Sequence, residues 1–255
     1  MYRMKRILYL LLFVLVFFSS YVFSESPVCS FAVISDLHLV DTDSIAMEKF
    51  EMVVEKIKGQ NVDIIFITGD IILPADEAKF RKIISDAGVP VYITFGNNDF
   101  PSRNRLRKIF SDLAISDYYH FLYKNSLFIC LCDAINDHVG HLESEYISPG
   151  QIEYLERGLS EYNRKVDHIF IFAHIPLSQD GSAGRMFIST NDQKFLREMI
   201  ERYRITAMFF GHLHSNTEFK VGNTEIVVVP AVFQGLSPQF LKVNVFKDRI
   251  EMEYR

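Results

Sequence analysis

The chain contains only three cysteines among 255 residues, so it lacks the content of a disulfide framework. Cys130 and Cys132 stand two residues apart in the apolar segment SLFICLCD, and they therefore share one face of a predicted strand. We expect both to be buried apolar residues rather than metal ligands. Cys29 is a candidate free thiol.

The sequence also lacks an excess of positive charge. Residues 1–24 carry Arg3, Lys5 and Arg6 and no acidic residue, so the total formal charge of -5 leaves -8 for the remainder. Proteins that bind nucleic acid without sequence preference depend mainly on cationic contacts to phosphates. The acidic body therefore argues against nucleic-acid binding, and we expect none.

No repeat, low-complexity tract or linker divides the chain after residue 28. With 49% hydrophobic and 23% charged residues, the sequence is typical neither of disordered nor of fibrous proteins. A chain of this length can bury one large core, and single domains of this size are common among α/β proteins. We predict one domain over residues 28–255.

The first 24 residues have a composition of their own. A basic start precedes an apolar run from Ile7 to Phe18, and small and polar residues follow up to Ser24. This layout predicts a secretory signal peptide cleaved after Ser24, and hence export to the periplasm or the exterior. The alternative is an uncleaved membrane anchor, because residues 7–23 give 17 positions, close to the lower limit for crossing a bilayer.

Apolar runs alternate with amphipathic segments, which indicates an α/β fold. CSFAVIS, VDIIFIT and VPVYITF are near-continuous apolar runs, as expected of strands in a sheet covered on both faces. Helices are predicted near 43–58, 75–86, 148–162 and 191–203. YHFLYKN and SLFICLCD are predicted to pair, and the alternation in TEIVVVP, FLKVNVF and DRIEMEY predicts antiparallel strands in the tail.

Side chains that can bind metals follow five of the apolar runs. In chain order they are Asp36 and His38, Asp70, Asn97, His174, and His212 and His214. Because ligands bind at the carboxyl ends of strands in open α/β sheets, we expect these loops to converge on one crevice. Each motif alone is usually a turn or a hydrogen-bonded loop residue, but their joint position at strand ends favours a common site. Gly69, Gly96 and Gly211 would let the backbone pass close to such a crowded site.

The donor types in this set point to a particular group of metals. Carboxylates, imidazoles and one amide oxygen form a mixed oxygen and nitrogen set, which suits Mn, Fe or Zn. Seven candidate ligands exceed the needs of one ion, whereas two ions bridged by a carboxylate would use them all. Dinuclear sites of this kind catalyse in-line displacement at phosphorus.

The order of these residues over positions 31–214 resembles the calcineurin-like metallophosphoesterase family, and the layout is similar to its class III cyclic-nucleotide phosphodiesterase group. The motifs that carry the resemblance are Asp36-x-His38, Gly69-Asp70, Gly96-Asn97-Asn98-Asp99, His174 and Gly211-His212-x-His214. The resemblance implies a four-layer α/β/β/α sandwich of the metallophosphoesterase type. It also implies a dinuclear centre at which a hydroxide between the ions attacks the phosphorus of a small-molecule phosphoester.

The resemblance further implies how the ligands divide between the two ions. The first ion would be held by Asp36, His38, Asp70 and His214, and the second by Asn97, His174 and His212. Asp70 would bridge the two.

Asn98 departs from the family pattern, in which a histidine followed by Asp or Glu is usual. The resemblance implies that this histidine stabilises or protonates the departing oxygen. An amide donates a hydrogen bond but no proton, and general acid catalysis is worth roughly 10²–10⁴-fold. Phosphodiesters or phosphoanhydrides with good leaving groups are therefore favoured over phosphomonoesters. Asn98 and Asp99 are candidate catalytic residues.

Two basic segments are further candidates for contact with a substrate phosphate. Arg185 lies in the Gly- and Ser-rich segment after His174, for which a plain surface loop is the alternative. The stretch after Asp99 contains Arg103, Arg105, Arg107 and Lys108. For this stretch we favour a solvated helix face over a phosphate clamp.

Two other function classes compete with an enzyme. A binding module that kept the fold but lost turnover would usually have lost ligands as well, whereas all seven positions are filled here. A membrane-attached scaffold would bind no metal. We therefore predict an exported phosphoesterase that depends on two divalent ions, Mn, Fe or Zn.

Overall fold

The computed structural model describes residues 25–40, 44–72, 76–111, 115–134, 147–182, 184 and 186–255. The segment 1–24, predicted to be a signal peptide or an anchor, and Arg185 lie outside the described residues. In the part of the chain that is described, no helix is long and apolar enough to cross a membrane.

The first of two sheets is built mainly from the N-terminal half of the chain. Its strands are β1 (Cys29–Ile34), β2 (Ile64–Thr68), β3 (Val91–Thr94), β10 (Leu241–Val245) and β11 (Ile250–Tyr254). Their order is β11-β10-β1-β2-β3. The first three strands of the chain run parallel to one another, while β10 is antiparallel to β1 and β11 is antiparallel to β10.

The second sheet is also mixed. Its strands are β4 (Tyr119–Tyr123), β5 (Ser126–Cys130), β6 (His168–Phe172), β7 (Ala207–Phe210), β8 (Thr217–Val221) and β9 (Thr224–Val228). Their order is β4-β5-β6-β7-β9-β8. The pairs from β5 to β6, β6 to β7 and β7 to β9 are parallel, and the two edge strands are antiparallel to their neighbours.

Helices cover the outer face of each sheet. Within the described residues they are α1 (Ser44–Lys58), α2 (Glu77–Asp86), α3 (Arg103–Ile109), α4 (Pro149–Tyr162) and α5 (Thr190–Arg202). Apolar residues of the first three helices pack with β1 and β2 in one buried cluster, and those of α4 and α5 pack with β5 and β6 in another. A third cluster lies between the sheets. Three apolar layers between four layers of secondary structure confirm the predicted α/β/β/α sandwich.

The strand β1 shows how the continuous apolar runs build these layers. Successive side chains of a strand point to opposite faces. Ala32 and Ile34 accordingly join the cluster under the helices, while Phe31 and Val33 join the cluster between the sheets. A strand with both faces buried needs apolar residues at every position, which is why CSFAVIS does not alternate.

Phenylalanine fills the space between the sheets. The ring of Phe31 makes edge contacts at centroid distances of 5.2 to 5.9 Å with five other rings. These rings belong to Phe66, Phe128, Phe170, Phe172 and Phe209, which come from β2, β5, β6 and β7. Aromatic pairs of this kind stabilise by about 0.5–1.5 kcal/mol beyond the area that they bury.

Two sequence-based expectations need correction. The tail strand β9 is expected from its sequence to be antiparallel to its neighbours. It is antiparallel to β8, its partner in a hairpin, but on its other side it pairs with β7 and is parallel to it. Cys130 and Cys132 are both buried as predicted, but they do not share a face. β5 ends at Cys130, which packs between the sheets. Cys132 lies beyond the end of the strand and joins the cluster formed by the first three helices with β1 and β2.

Candidate metal centre

The loops that follow β1, β2, β3, β6 and β7 meet at one edge of the two sheets. Asp36 N donates to Gly69 O at 3.1 Å, and Gly211 N donates to His174 O at 3.0 Å. A bond of 3.0 Å from His212 N to Asp36 Oδ2 joins a loop of the second sheet to a loop of the first. The structure thus brings the five sequence motifs together.

Asp36, His38 and His214 form one group of converging ligand atoms. His214 Nε2 lies 3.1 Å from Asp36 Oδ1 and 3.3 Å from His38 Nε2. Ligand atoms placed about 2 Å from a common ion are at most about 4 Å apart. The group is therefore close to the geometry that one ion requires.

Asp36, Asp70 and His174 form a second group. His174 Nε2 lies 3.5 Å from Asp70 Oδ2 and 3.1 Å from Asn97 Oδ1. Asp70 Oδ2 is also 3.5 Å from His38 Nε2, so this carboxylate stands between the two groups. That position suits the bridging role predicted for Asp70, and Asp36 also belongs to both groups.

His212 lies beside the second group. Its ring makes an edge contact with the ring of His174 at a centroid distance of 5.2 Å, but its nitrogen atoms belong to neither group of converging ligand atoms. All seven sequence-predicted ligand positions are therefore neighbours, five of them with side-chain atoms in the two groups.

Two ionised carboxylates are buried in this cluster. Burial alone would raise the pKa of Asp36, but hydrogen bonds from His214 and His38 hold it well below its usual range. Burial opposes the ionisation of Asp70 as well, yet the charge of His174 lowers the pKa of Asp70 to about 2. Among the described residues, neither carboxylate forms an ion pair with lysine or arginine. Buried charges need a partner, and histidines provide it in this structure. The same carboxylate and imidazole atoms form a mixed oxygen and nitrogen set, which fits a divalent cation.

His174 is oriented by its second ring nitrogen. Nδ1–H donates to Thr68 O at 2.7 Å, which leaves Nε2 directed to Asp70 and Asn97. Metal-binding histidines usually make such a bond to a carbonyl or carboxylate through the nitrogen that does not bind the metal. Burial would lower the pKa of His174, but the nearby charge of Asp70 raises it to about 10. A cation that binds Nε2 must therefore displace a proton from this ring.

The backbone of the ligand loops is strained. Five of the predicted ligands adopt left-handed φ angles of 47° to 68°, a region that side chains other than glycine rarely enter. They are Asp36, His38, Asp70, His212 and His214. Such conformations cost of order 1–3 kcal/mol each and cluster at functional sites.

Gly96 and Gly211 lie where the backbone passes closest to the buried carboxylates. A Cβ at Gly96 would stand 2.2 Å from Asp70 Oδ1 and 2.4 Å from Asp70 N. A Cβ at Gly211 would stand 1.9 Å from Ser35 Oγ and 2.5 Å from Asp36 Oδ2. These contacts agree with the expectation that glycine admits the backbone to a crowded site.

Gly96→Ala should therefore weaken metal binding by displacing the Asp70 carboxylate. We expect the affinity for Mn²⁺ to fall about 10- to 100-fold, which is the usual effect of changing a residue that supports a metal ligand. Gly158→Ala is the matched control, because a Cβ there meets nothing within 4 Å and alanine is favourable in a helix. Calorimetric titration of the metal-free proteins with Mn²⁺ checks the prediction, which equal affinities in the two variants would contradict.

Asp99 is placed differently from the catalytic contact expected from the sequence. Its side chain is fully buried, and its carboxylate accepts the N–H groups of Ile72 at 2.6 Å and Gly96 at 2.9 Å. Burial raises the pKa of Asp99 to about 6. Because both oxygens are used to tie the loop after β2 to the loop after β3, the geometry makes Asp99 a positioning residue.

Asp133 is a second positioning residue, which holds the loop of His174 through its backbone. It belongs to none of the metal-ligand motifs recognised in the sequence. Its Oδ1 accepts His174 N–H at 3.0 Å, and its Oδ2 accepts Ile175 N–H at 2.9 Å. Burial raises the pKa of Asp133 to about 7. The signal available in the sequence was an acidic residue directly after the apolar run SLFICLC, as in the other site loops.

Asn98 contacts the carboxylate at the centre of the site. Its backbone N–H donates to Asp70 Oδ1 at 2.9 Å, and its side-chain amide donates to Asp70 Oδ2 at 2.7 Å. The side chain is exposed, so the amide borders both the crevice and solvent.

The basic residues of α3 are engaged with neighbouring groups. Arg105 pairs with Glu77 at 3.1 Å, and Arg107 pairs with Asp117. Arg103 is only 12% exposed and lies over the rings of Phe95 and Phe100. The solvated face predicted for this helix is therefore wrong for Arg103, whose guanidinium is covered by aromatic rings.

Known proteins resemble this chain in sequence. A family model described as calcineurin-like phosphoesterase matches residues 29–216. A protein of Ruthia magnifica named "Probable cyclic nucleotide phosphodiesterase" is 24% identical over 215 residues, which are 79% of this chain and 85% of that protein. A protein of the same name from Vesicomyosocius okutanii is 22% identical over 210 residues, covering 78% and 84% of the two chains.

Solved structures resemble it in fold. A dimetal phosphatase from Danio rerio superposes with a TM-score of 0.75 at 16% identity, covering 90% of this chain and 96% of that one. GAP50, described as the anchor in the inner membrane complex of Plasmodium, gives a TM-score of 0.62 at 14% identity, covering 89% and 84%. Because the family model spans most of the chain, including all seven predicted ligands, the chain belongs to the calcineurin-like phosphoesterase family.

Proposed function

We propose that this protein hydrolyses a small-molecule phosphodiester or phosphoanhydride at a dinuclear metal centre. The observation that carries the proposal is the convergence of five candidate ligands in two groups that share Asp36, with Asp70 between them and with Asn97 and His212 beside the second group. Membership of the family supports a metal-dependent hydrolase acting on phosphoester bonds.

The proposed ligands divide as the resemblance implied. One ion would be held by Asp36, His38, Asp70 and His214, and the other by Asn97, His174 and His212. Bound there, two divalent ions would neutralise the phosphate charge and activate water for attack at phosphorus. Mn, Fe and Zn suit the donor set.

Other residues of the chain hold the metal ligands in position and interact with the leaving group. Asp99 and Asp133 hold the loops that carry Asp70, Asn97 and His174 through hydrogen bonds to backbone N–H groups. Asn98 has an amide beside Asp70 Oδ2, from which it can donate a hydrogen bond to a departing oxygen. It cannot supply a proton, which favours a leaving group that is stable as an anion. The substrate contact predicted for Arg185 remains a prediction.

A phosphodiester is the favoured substrate class. An aryl diester expels a phenolate, and an anhydride expels the phosphate of a nucleotide. Both leaving groups are weak bases that need no acid at the position of Asn98. The names of the two sequence relatives support a phosphodiester as substrate, but not the preference for a weakly basic leaving group, because a cyclic nucleotide opens by expelling a ribose oxygen. The alternative is a binding protein without turnover, and GAP50, whose fold is similar, is described as an anchor. The complete set of candidate ligands favours catalysis here.

Export and the choice between a signal peptide and an anchor also remain proposals. Glu25, the first described residue, pairs at 2.9 Å with Arg249 in the turn between β10 and β11. That turn lies at the start of β1, whereas the metal centre lies beyond its end at Ile34. If residues 7–23 contact a membrane, the chain would therefore join them at the edge opposite the centre.

The test is hydrolysis of bis(p-nitrophenyl) phosphate and p-nitrophenyl phosphate by protein stripped of metal and then reconstituted with Mn²⁺. We expect turnover only after reconstitution, with a higher kcat/KM for the diester. Binding of two ions per chain without turnover of either substrate would favour the binding protein. Failure to bind two ions would reject the dinuclear centre itself.

A further inference from the structure

The loop between β9 and β10, residues 229–240, forms a wall of the metal centre, although it lies outside the segment matched by the family model. Val232 N donates to Ser35 O at 2.9 Å, and Phe233 N donates to Asp36 O at 3.4 Å. On its outer side, Lys49 of α1 donates to Phe233 O. The loop is thus fastened both to the strand end that carries Asp36 and to the helix behind it.

Two consecutive residues of this loop contact His38 and His214, the two partly exposed ligands of the first group. The ring of Phe233 makes edge contacts with the ring of His38 at 4.5 Å and with the ring of His214 at 5.0 Å. The side-chain amide of Gln234 lies 3.1 Å from His214 Nδ1. His214 is therefore held by a ring on one side and by an amide at the nitrogen remote from Asp36.

An amide suits this position because it can donate or accept. The structure has the amide nitrogen of Gln234 against Nδ1, and donation in this sense requires the tautomer with its proton on Nε2, which lies 3.1 Å from Asp36 Oδ1. When Nε2 binds a cation, the proton must sit on Nδ1 and needs an acceptor. Rotation of the Gln234 amide by half a turn presents its carbonyl oxygen and meets that need.

We propose that Gln234 is a positioning residue of the metal centre, which fixes the ring orientation and the tautomer of His214. The proposal rests on the proposed function, because it assigns His214 Nε2 to a cation. It predicts that Gln234 affects how tightly only one of the two ions binds. This is the ion held by Asp36, His38 and His214. The ion at His174 should be unaffected.

Calorimetric titration of the metal-free full chain with Mn²⁺ tests this, with Gln234→Met, Gln234→Glu and the matched control Gln239→Met from the same loop. Supporting partners of metal-binding histidines are worth about 10- to 100-fold in affinity. We expect Gln234→Met to lose this factor at one of two sites without a change in the Tm of the metal-free protein. Gln234→Glu, which supplies an acceptor, should restore the affinity, and Gln239→Met should match the wild type.

Long-range ¹H–¹⁵N spectra of the histidine rings with Zn²⁺ provide a readout independent of affinity. They should show the His214 proton on Nδ1 in the wild type and in Gln234→Glu. Wild-type affinity at both sites in Gln234→Met, or equal losses in the Met and Glu variants, would overturn the proposal while leaving the dinuclear centre intact. A wild-type protein that binds fewer than two ions would instead reject the proposed function, and this inference with it.

Discussion

Replacing Asp70 by alanine is expected to abolish metal-dependent hydrolysis of bis(p-nitrophenyl) phosphate. Asp70 Oδ2 lies 3.5 Å from Nε2 of both His38 and His174, so the change removes the carboxylate between the two groups of ligands. Disturbing groups that only support a ligand already costs about 10- to 100-fold, and the loss of a shared ligand should exceed this. The measurement is kcat/KM at saturating Mn²⁺.

Asp70 also has a structural role that must be separated from its charge. It accepts both the backbone N–H and the side-chain amide of Asn98, and in this way it helps to place the loop after β3. Asp70→Asn keeps the volume and one carbonyl acceptor but carries no charge. If the charge of the shared ligand is what matters, the asparagine variant will be nearly as inactive as the alanine variant.

Asp248→Ala is the control for the loss of an acidic residue. Asp248 is 78% exposed and lies in the turn between β10 and β11, at the edge opposite the metal centre. It should keep wild-type activity. An Asp70→Ala protein within about tenfold of the wild-type kcat/KM would contradict a centre built on this carboxylate.

The candidate ligands could be located from the sequence because each one directly follows a recognisable buried strand. In parallel strands of one sheet the ends that carry them must lie at the same edge, so the patterns after β1, β2 and β3 predict one set of ligands and those after β6 and β7 another. That the two sets meet depends on how the two sheets pack. The same reasoning predicts the layers, since runs such as CSFAVIS are apolar on both faces. These inferences need only neighbouring residues and the rule for parallel strands.

The supporting residues could not be predicted in this way. Asp133 acts on the backbone of His174, 41 residues away, and Gln234 acts on His214 from a loop that carries no metal-ligand motif. Asp99 stands within the motif, but whether its carboxylate faces substrate or two backbone N–H groups depends on how the loops pack. The left-handed backbone of the ligands is not apparent from the sequence either. Asp and His enter this region more often than most residue types, but usually they do not adopt it, so which of them do so depends on the tertiary structure.

Asn98→His is expected to change which substrates are hydrolysed rather than to raise every rate. The side chain at this position is exposed and borders Asp70 Oδ2, where its amide donates a hydrogen bond at 2.7 Å. A histidine there could also give a proton to the departing oxygen. General acid catalysis contributes roughly 10²–10⁴-fold, and the full effect appears only with a basic leaving group.

The measurement is the dependence of kcat/KM on leaving-group pKa, over a series of phosphodiesters from nitrophenyl to alkyl leaving groups. The wild type should show a steep decline toward basic leaving groups, because the departing oxygen must leave as an anion. The histidine variant should show a shallower decline and should match the wild type for the nitrophenyl ester.

Asn98→Ala separates the contribution of the hydrogen bond from that of the acid, because it removes the hydrogen bond without adding an acid. Its decline should be at least as steep as that of the wild type. Parallel declines in all three proteins would mean that position 98 does not face the departing oxygen, and the preference for diesters would then need another cause.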